Sequence, residues 1–169
     1  MKRNALLHQL VTHENTFDFI VIGGGATGLG IALDAITRGA SVALFEQDDF
    51  TKGTSSRSTK LVHGGVRYLA QGDVSLVLEA LRERGLLRKN ASHLVKNQSF
   101  LIPCYRWWEG AFYTIGLILY DLMAANLGFG RSFCIGPKRA VKTIPMLRKK
   151  GMKAGVIYHD GQFDDSRLA

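Results

Sequence analysis

A chain of 169 residues with 46% apolar side chains is long enough for a packed core and too apolar for a disordered segment. Its two cysteines, Cys104 and Cys134, form neither a disulfide framework nor a CxxC metal site, which points to a reducing compartment. The net charge of +8 is carried without any nucleic-acid recognition motif or interleaved aromatic residues, so nucleic acid is not expected as a partner.

Residues 1–16 include polar His8, Gln9, His13, Glu14 and Asn15 and have no apolar core of the signal-peptide kind; they read as a leader. Phe17–Ile22 is an apolar run that ends in three glycines and predicts a buried parallel strand. Ala26–Arg38 follows with Leu29, Ala32, Leu33 and Ile36 at helical spacing, and Gly39 suits the residue just past the helix. Ser41–Phe45 is a second apolar strand with Glu46 at its end. This strand, helix and strand have the length of a βαβ crossover.

A polar loop, Gln47–Thr59, comes next, and His63-Gly64-Gly65 marks a turn. Asp73 is placed to cap a helix running to about Lys89, with Val77, Leu78 and Leu81 facing inward. A strand is expected at Ser99–Ile102, closed by Pro103. Ala111–Phe129 is apolar but contains Asp121 and Asn126, so it reads as a buried or interfacial helix over 111–127 rather than a membrane span, with Trp107 and Trp108 packed inside the fold. A short helix is expected at Pro137–Thr143 and a strand at Ala154–His159; Asp164 and Asp165 read as caps of a final helix rather than metal ligands.

The segment Gly23-Gly24-Gly25-Ala26-Thr27-Gly28 fits GxGxxG between a strand and a helix, with the acid Glu46 beyond it. Gly23 permits the tight turn, Gly25 lets the backbone approach a pyrophosphate, and Gly28 allows close packing of helix on strand. The helix N-terminus offers amides and a positive dipole end to phosphate. Glu46 can accept ribose hydroxyls and would repel a 2′-phosphate, which disfavours NADP. A GxxxxGK[ST] loop is excluded, because Leu29 stands where Lys is needed. This spacing does not separate FAD from NAD.

The stretch Gly53-Thr54-Ser55-Ser56-Arg57-Ser58-Thr59-Lys60-Leu61-Val62-His63-Gly64-Gly65-Val66-Arg67-Tyr68-Leu69 carries many hydroxyls, turn glycines and cations. Its chemistry suits a long anionic cofactor and a second anion. Together with IGGGATGLG and the DGQFDDSRL end, it makes the chain from Phe17 to Ala169 resemble the N-terminal part of the FAD-dependent glycerol-3-phosphate dehydrogenases.

That resemblance implies an α/β fold: the N-terminal part of a doubly wound, Rossmann-like FAD-binding domain followed by the start of an antiparallel substrate domain, incomplete within this chain. The implied division is a leader at 1–16, the FAD-binding region at 17–98, the start of the substrate domain at 99–163 and the start of a helix at 164–169. The family oxidises sn-glycerol 3-phosphate to dihydroxyacetone phosphate and passes electrons to a membrane quinone. By resemblance, Thr54, Ser55, Ser58, Lys60, Leu61, His63 and Gly64 join Gly23, Gly24, Gly25, Gly28 and Glu46 in contacting FAD, and Arg67 lies near the substrate phosphate. His63 is expected to orient the loop or touch the flavin rather than act as base, because proton-transfer residues are expected beyond Ala169.

The acid-free stretch Leu122–His159 carries Arg131, Lys138, Arg139, Lys142, Arg148, Lys149, Lys150 and Lys153, which account for the net charge. It reads as a solvated face, or as one attracted to anionic lipid. Combined with quinone chemistry it suggests a cytoplasmic protein held peripherally on the inner face of the cell membrane, with a homodimer open to the whole protein. A related FAD-dependent amine or amino-acid oxidase, or a piece inactive by itself, are the alternatives.

Overall fold

The computed structural model describes residues 3–12, 16–69 and 71–169. Of the expected leader, residues 1–2 and 13–15 lie outside the described residues; the rest includes helix α1 (Arg3–Thr12), which buries no side chain. The chain divides into two units, Met1–Ser58 with Ala169, and Thr59–Leu168. The sequence reading divided the chain after residue 98 instead. The segment from Thr59 onward joins the second unit because its strands pair there, which no local signal announces.

In the first unit, strand β1 (Phe19–Ile22) and strand β2 (Val42–Phe45) are parallel and in register from Phe19 against Val42 to Ile22 against Phe45. Helix α2 (Ala26–Thr37) crosses between them. Asp18 and Ser41 clamp the strand starts: Ser41 N–H donates to Asp18 Oδ2 at 2.8 Å and Asp18 N–H donates to Ser41 Oγ at 3.0 Å. Ser41 Oγ–H also donates to Asp18 Oδ2 at 2.7 Å; this bond first, and that from Ser41 N–H second, hold the Asp18 carboxyl below its usual range. The helix closes on the strands through Ala32 and Ala35, while the expected inner residues Leu33 and Ile36 are exposed. Small side chains let the backbones approach; the larger ones lie on the helix face that β1 and β2 do not cover. Gly39, at φ +89°, ends the helix by donating to Ile36 O at 2.9 Å, the left-handed turn that favours glycine.

The second unit is built on an antiparallel sheet. Strand β6 (Ala154–Phe163) pairs along its whole length with β4 (Val95–Cys104), and its other edge takes β5 (Phe133–Ile135) and β3 (Leu61–Val62). Both long strands exceed the expected Ser99–Ile102 and Ala154–His159, because pairing extends each past its apolar centre. Pro103 lies inside β4 opposite Gly155 rather than closing it; among the described residues β4 pairs only with β6, and an edge strand tolerates a missing N–H.

Helices α3 (Val66–Leu69), α4 (Val74–Asn90), α5 (Glu109–Ala124), α6 (Pro137–Thr143) and α7 (Asp165–Leu168) complete the unit. Asp73 caps α4, accepting from Leu76 N–H at 3.1 Å. Val77 and Leu81 are buried as expected and join Tyr120 and Ala124 in one core cluster, but Leu78 is exposed. The inward stripe continues to Arg84 and Gly85 instead. Cys104, Leu117 and Val156 form a second cluster, and Ile135, Ala140 and Met152 a third.

Helix α5, with the 3₁₀ turn Ala125–Leu127, is long and apolar enough to cross a membrane by length and composition. One face packs through Leu117, Tyr120 and Ala124; Phe112, Ile115, Leu119 and Leu122 are exposed. Trp107 is 85% exposed and Trp108 40%, against the expected interior packing. They precede α5 on the segment that leaves β4, where Trp108 meets the edge of Phe112 and Trp107 points to solvent. All eight cations of the acid-free stretch are exposed.

Candidate functional site

The glycine turn in the first unit is set by backbone conformation at Gly23 and by close neighbours at Gly24, Gly25 and Gly28. Gly23 adopts φ +105°, and its N–H donates to Phe45 O at 2.8 Å. A Cβ at residue 28 would run into the Gly23 carbonyl oxygen, so α2 can start this close to β1 only with glycine there. A Cβ on Gly24 would meet the Phe50 ring at 2.5 Å, and one on Gly25 would meet Ser55 Oγ at 3.1 Å.

Glu46 binds the turn directly. Its Oε2 accepts from Gly24 N–H at 2.7 Å and its Oε1 from Asp48 N–H at 3.0 Å. These amides, Asp48's first, hold the carboxyl below its usual range and therefore ionised at neutral pH. Ser55 Oγ accepts from Ala26 N–H at 2.8 Å at the head of α2, where Thr27 and Gly28 follow with amides that have no acceptor within the helix. A cleft of about 350 Å³ is lined by Gly25, Glu46, Lys52, Thr54, Ser55 and Arg57. A neighbouring one of about 460 Å³ runs past Gly23, Gly25, Ala26, Thr27 and Gly28. Ser58 is exposed at the end of this unit.

In the second unit a cavity of about 560 Å³ has Leu61, His63, Arg67, Gln71, Tyr158 and Asp160 on its wall. Arg67 reaches it from α3, the short helix that follows the His63-Gly64-Gly65 turn. His63 Nδ1 accepts from Gly65 N–H at 3.1 Å, so that nitrogen holds the turn. Burial raises the Tyr158 hydroxyl above its ordinary value of 10.0, with Asp160 adding to the rise and Arg67 opposing it.

The predicted site residues thus fall into two sets, one in each unit. Lys60 does not reach the cavity wall. It sits at φ +57° and its Nζ pairs at 2.6 Å with Asp165, which is buried. Asp165 is thus an ion-pair partner in the first turn of α7, and Asp164 accepts from Ser166 Oγ at 2.9 Å. Sequence reasoning missed Arg84, Tyr120 and Asp160, which form a buried polar cluster directly behind Gly64. Arg84 falls on the inner stripe of α4, seven residues after Val77, but an arginine there reads by residue type as a solvent-facing charge.

A protein-family model described as FAD dependent oxidoreductase matches residues 18–169. The chain belongs to that family. FAD is the cofactor that membership assigns, and the α/β fold agrees with it. Relatives named mitochondrial glycerol-3-phosphate dehydrogenase include one from Homo sapiens, 47% identical over 169 residues, covering 95% of this chain and 23% of the relative. Another from Saccharomyces cerevisiae is 45% identical over 176 residues, covering 99% and 27%. The solved glycerol-3-phosphate dehydrogenase from Bacillus halodurans complexed with FAD matches at a TM-score of 0.68 and 32% identity, over 99% of this chain and 25% of that one. The chain therefore spans about a quarter of the length of these relatives. The first unit fits a dinucleotide: Gly24, Gly25 and Gly28 stand where a Cβ would press on its neighbours, leaving bare backbone beside a helix N-terminus and an ionised acid.

Proposed function

We propose that the protein carrying this chain oxidises sn-glycerol 3-phosphate to dihydroxyacetone phosphate and passes the electrons to a quinone. The observation that carries this reading is Arg67 on the wall of the second unit's cavity, beside a protonated Tyr158. A guanidinium holds a phosphate through two parallel N–H···O bonds, and a neutral tyrosine hydroxyl donates a further bond to an anion. Asp160 lies on the same wall, but its charge is matched by Arg84 behind it, so it does not cancel Arg67. His63 keeps the turn in shape through Gly65 N–H, which aims Arg67 without placing His63 in proton transfer.

FAD, when bound, accepts the hydride released from the substrate. In the first unit Gly23, Gly24, Gly25, Gly28, Thr54, Ser55 and Ser58 would hold its phosphates and Glu46 its ribose. The eight exposed cations of the acid-free stretch support a peripheral seat on an anionic membrane, on the cytoplasmic side, which gives access to quinone. The test is trial oxidation by the intact protein with a quinone analogue as acceptor. Reduction of the flavin by glycerol 3-phosphate is expected. Reduction by glycine or sarcosine, with glycerol 3-phosphate inert, would reassign the site to amine oxidation.

A further inference from the structure

Gly64 is buried, and its N–H donates at 2.8 Å to the hydroxyl of Tyr120 on α5, a residue 56 positions away. That hydroxyl is fully used. Its proton goes to Asp160 Oδ2 at 3.3 Å, and it accepts from Arg84 Nη1 at 3.2 Å as well as from Gly64. A tyrosine oxygen has one proton and two lone pairs, so no capacity is left over. Arg84 also pairs with Asp160, and its guanidinium lies 4.8 Å from the Phe129 ring centre and 5.5 Å from that of Tyr120. Both side chains of the ion pair are almost wholly buried. The cluster is therefore a buried anchor that holds the backbone of the loop between His63 and Arg67, while Asp160 also reaches the cavity wall. Gly64 has to be glycine for the same reason: a Cβ there would strike the Tyr120 hydroxyl and Leu81.

We infer that Tyr120 is a positioning residue: anchored by Arg84 and Asp160, it fixes the Gly64 amide and so sets where His63 and Arg67 stand on the cavity wall. The inference rests on reading that cavity as the substrate site. Loss of the hydroxyl would leave the Gly64 N–H buried without an acceptor, and the loop would move to find one.

The test compares the intact FAD-loaded protein with its Tyr120→Phe variant, which keeps the ring in the core. Without substrate, amide hydrogen exchange over residues 61–69 should quicken by about tenfold or more, while α4 and α5 stay within about twofold. With glycerol 3-phosphate, KM should rise several-fold more than kcat falls, because Arg67 is displaced rather than removed. Equal quickening across α4 and α5, or none at 61–69, would reduce Tyr120 to a packing residue and overturn the inference. The unmutated protein gives a second check: the Gly64 amide should be as protected as the core of α5, and exchange at an open-loop rate would also overturn it. Selective quickening in a protein that does not oxidise glycerol 3-phosphate would sink the substrate reading and leave the positioning role standing.

Discussion

Glu46 reaches back from the end of β2 to accept the amide of Gly24 at 2.7 Å, so the acid that follows the second strand also ties down the glycine turn that follows the first. The residue is part of the turn's own structure as well as a candidate ribose partner. Its second oxygen holds Asp48 N–H, which extends the same tie into the next loop.

Glu46→Ala should therefore weaken FAD binding by about tenfold or more, as the turn loses an ionised acceptor. Flavin fluorescence titration of the intact apoprotein measures it. The sign of the pH effect follows from the lowered carboxyl: its stabilisation is fully present above the ordinary value of 4.5 and is lost as pH falls through the lower folded value. Glu46→Gln should bind FAD more weakly at neutral pH and lose the part of the acid-induced release that comes from protonating this carboxyl, since the amide cannot restore both acceptors and does not titrate. Identical release curves would remove Glu46 from the turn.

Two glycines of α2 should respond in opposite directions. Gly28→Ala forces a methyl against the Gly23 carbonyl and should cost about 1–3 kcal/mol, seen as a lowered Tm and poor flavin retention. Gly30→Ala meets nothing within 4 Å and should gain about 0.5–1 kcal/mol from reduced chain entropy. Equal effects of the two substitutions would contradict the packing described for the helix start.

Arg67→Ala should lower kcat/KM for glycerol 3-phosphate by about 10²-fold, roughly 2.7 kcal/mol, with flavin content near normal. Arg67→Lys should recover part of this, because an ammonium cannot form the bidentate pair. Steady-state kinetics on holoenzyme separates the cases: loss of flavin with a normal KM would make Arg67 a structural residue.

The exposed cations should bind the intact protein to vesicles containing phosphatidylserine and not to phosphatidylcholine alone. Each cation near an anionic surface contributes about 1 kcal/mol, and salt screens it. Charge reversal of Lys138, Arg139 and Lys142 on α6 should weaken sedimentation with the anionic vesicles. Binding that is indifferent to salt and lipid charge would point away from this face.

What the sequence determined by itself is local. The positive φ of Gly23, the absence of a side chain at Gly28, the left-handed end at Gly39 and the cap at Asp73 are each dictated within one turn or one crossover, where glycine geometry and apolar spacing act at short range. The order of β1, α2 and β2 was legible for the same reason. Tertiary structure alone decided what depends on partners far along the chain. Arg84 and Asp160 are 76 residues apart and look like ordinary surface charges; only the pairing of β6 with β4 and the packing of α4 beneath them remove both from water together. Lys60 meets Asp165 through a contact spanning 105 residues. Burial of a charge is stable only when its partner is buried with it, and that condition is met by the fold as a whole and cannot be read from either residue's neighbours in sequence.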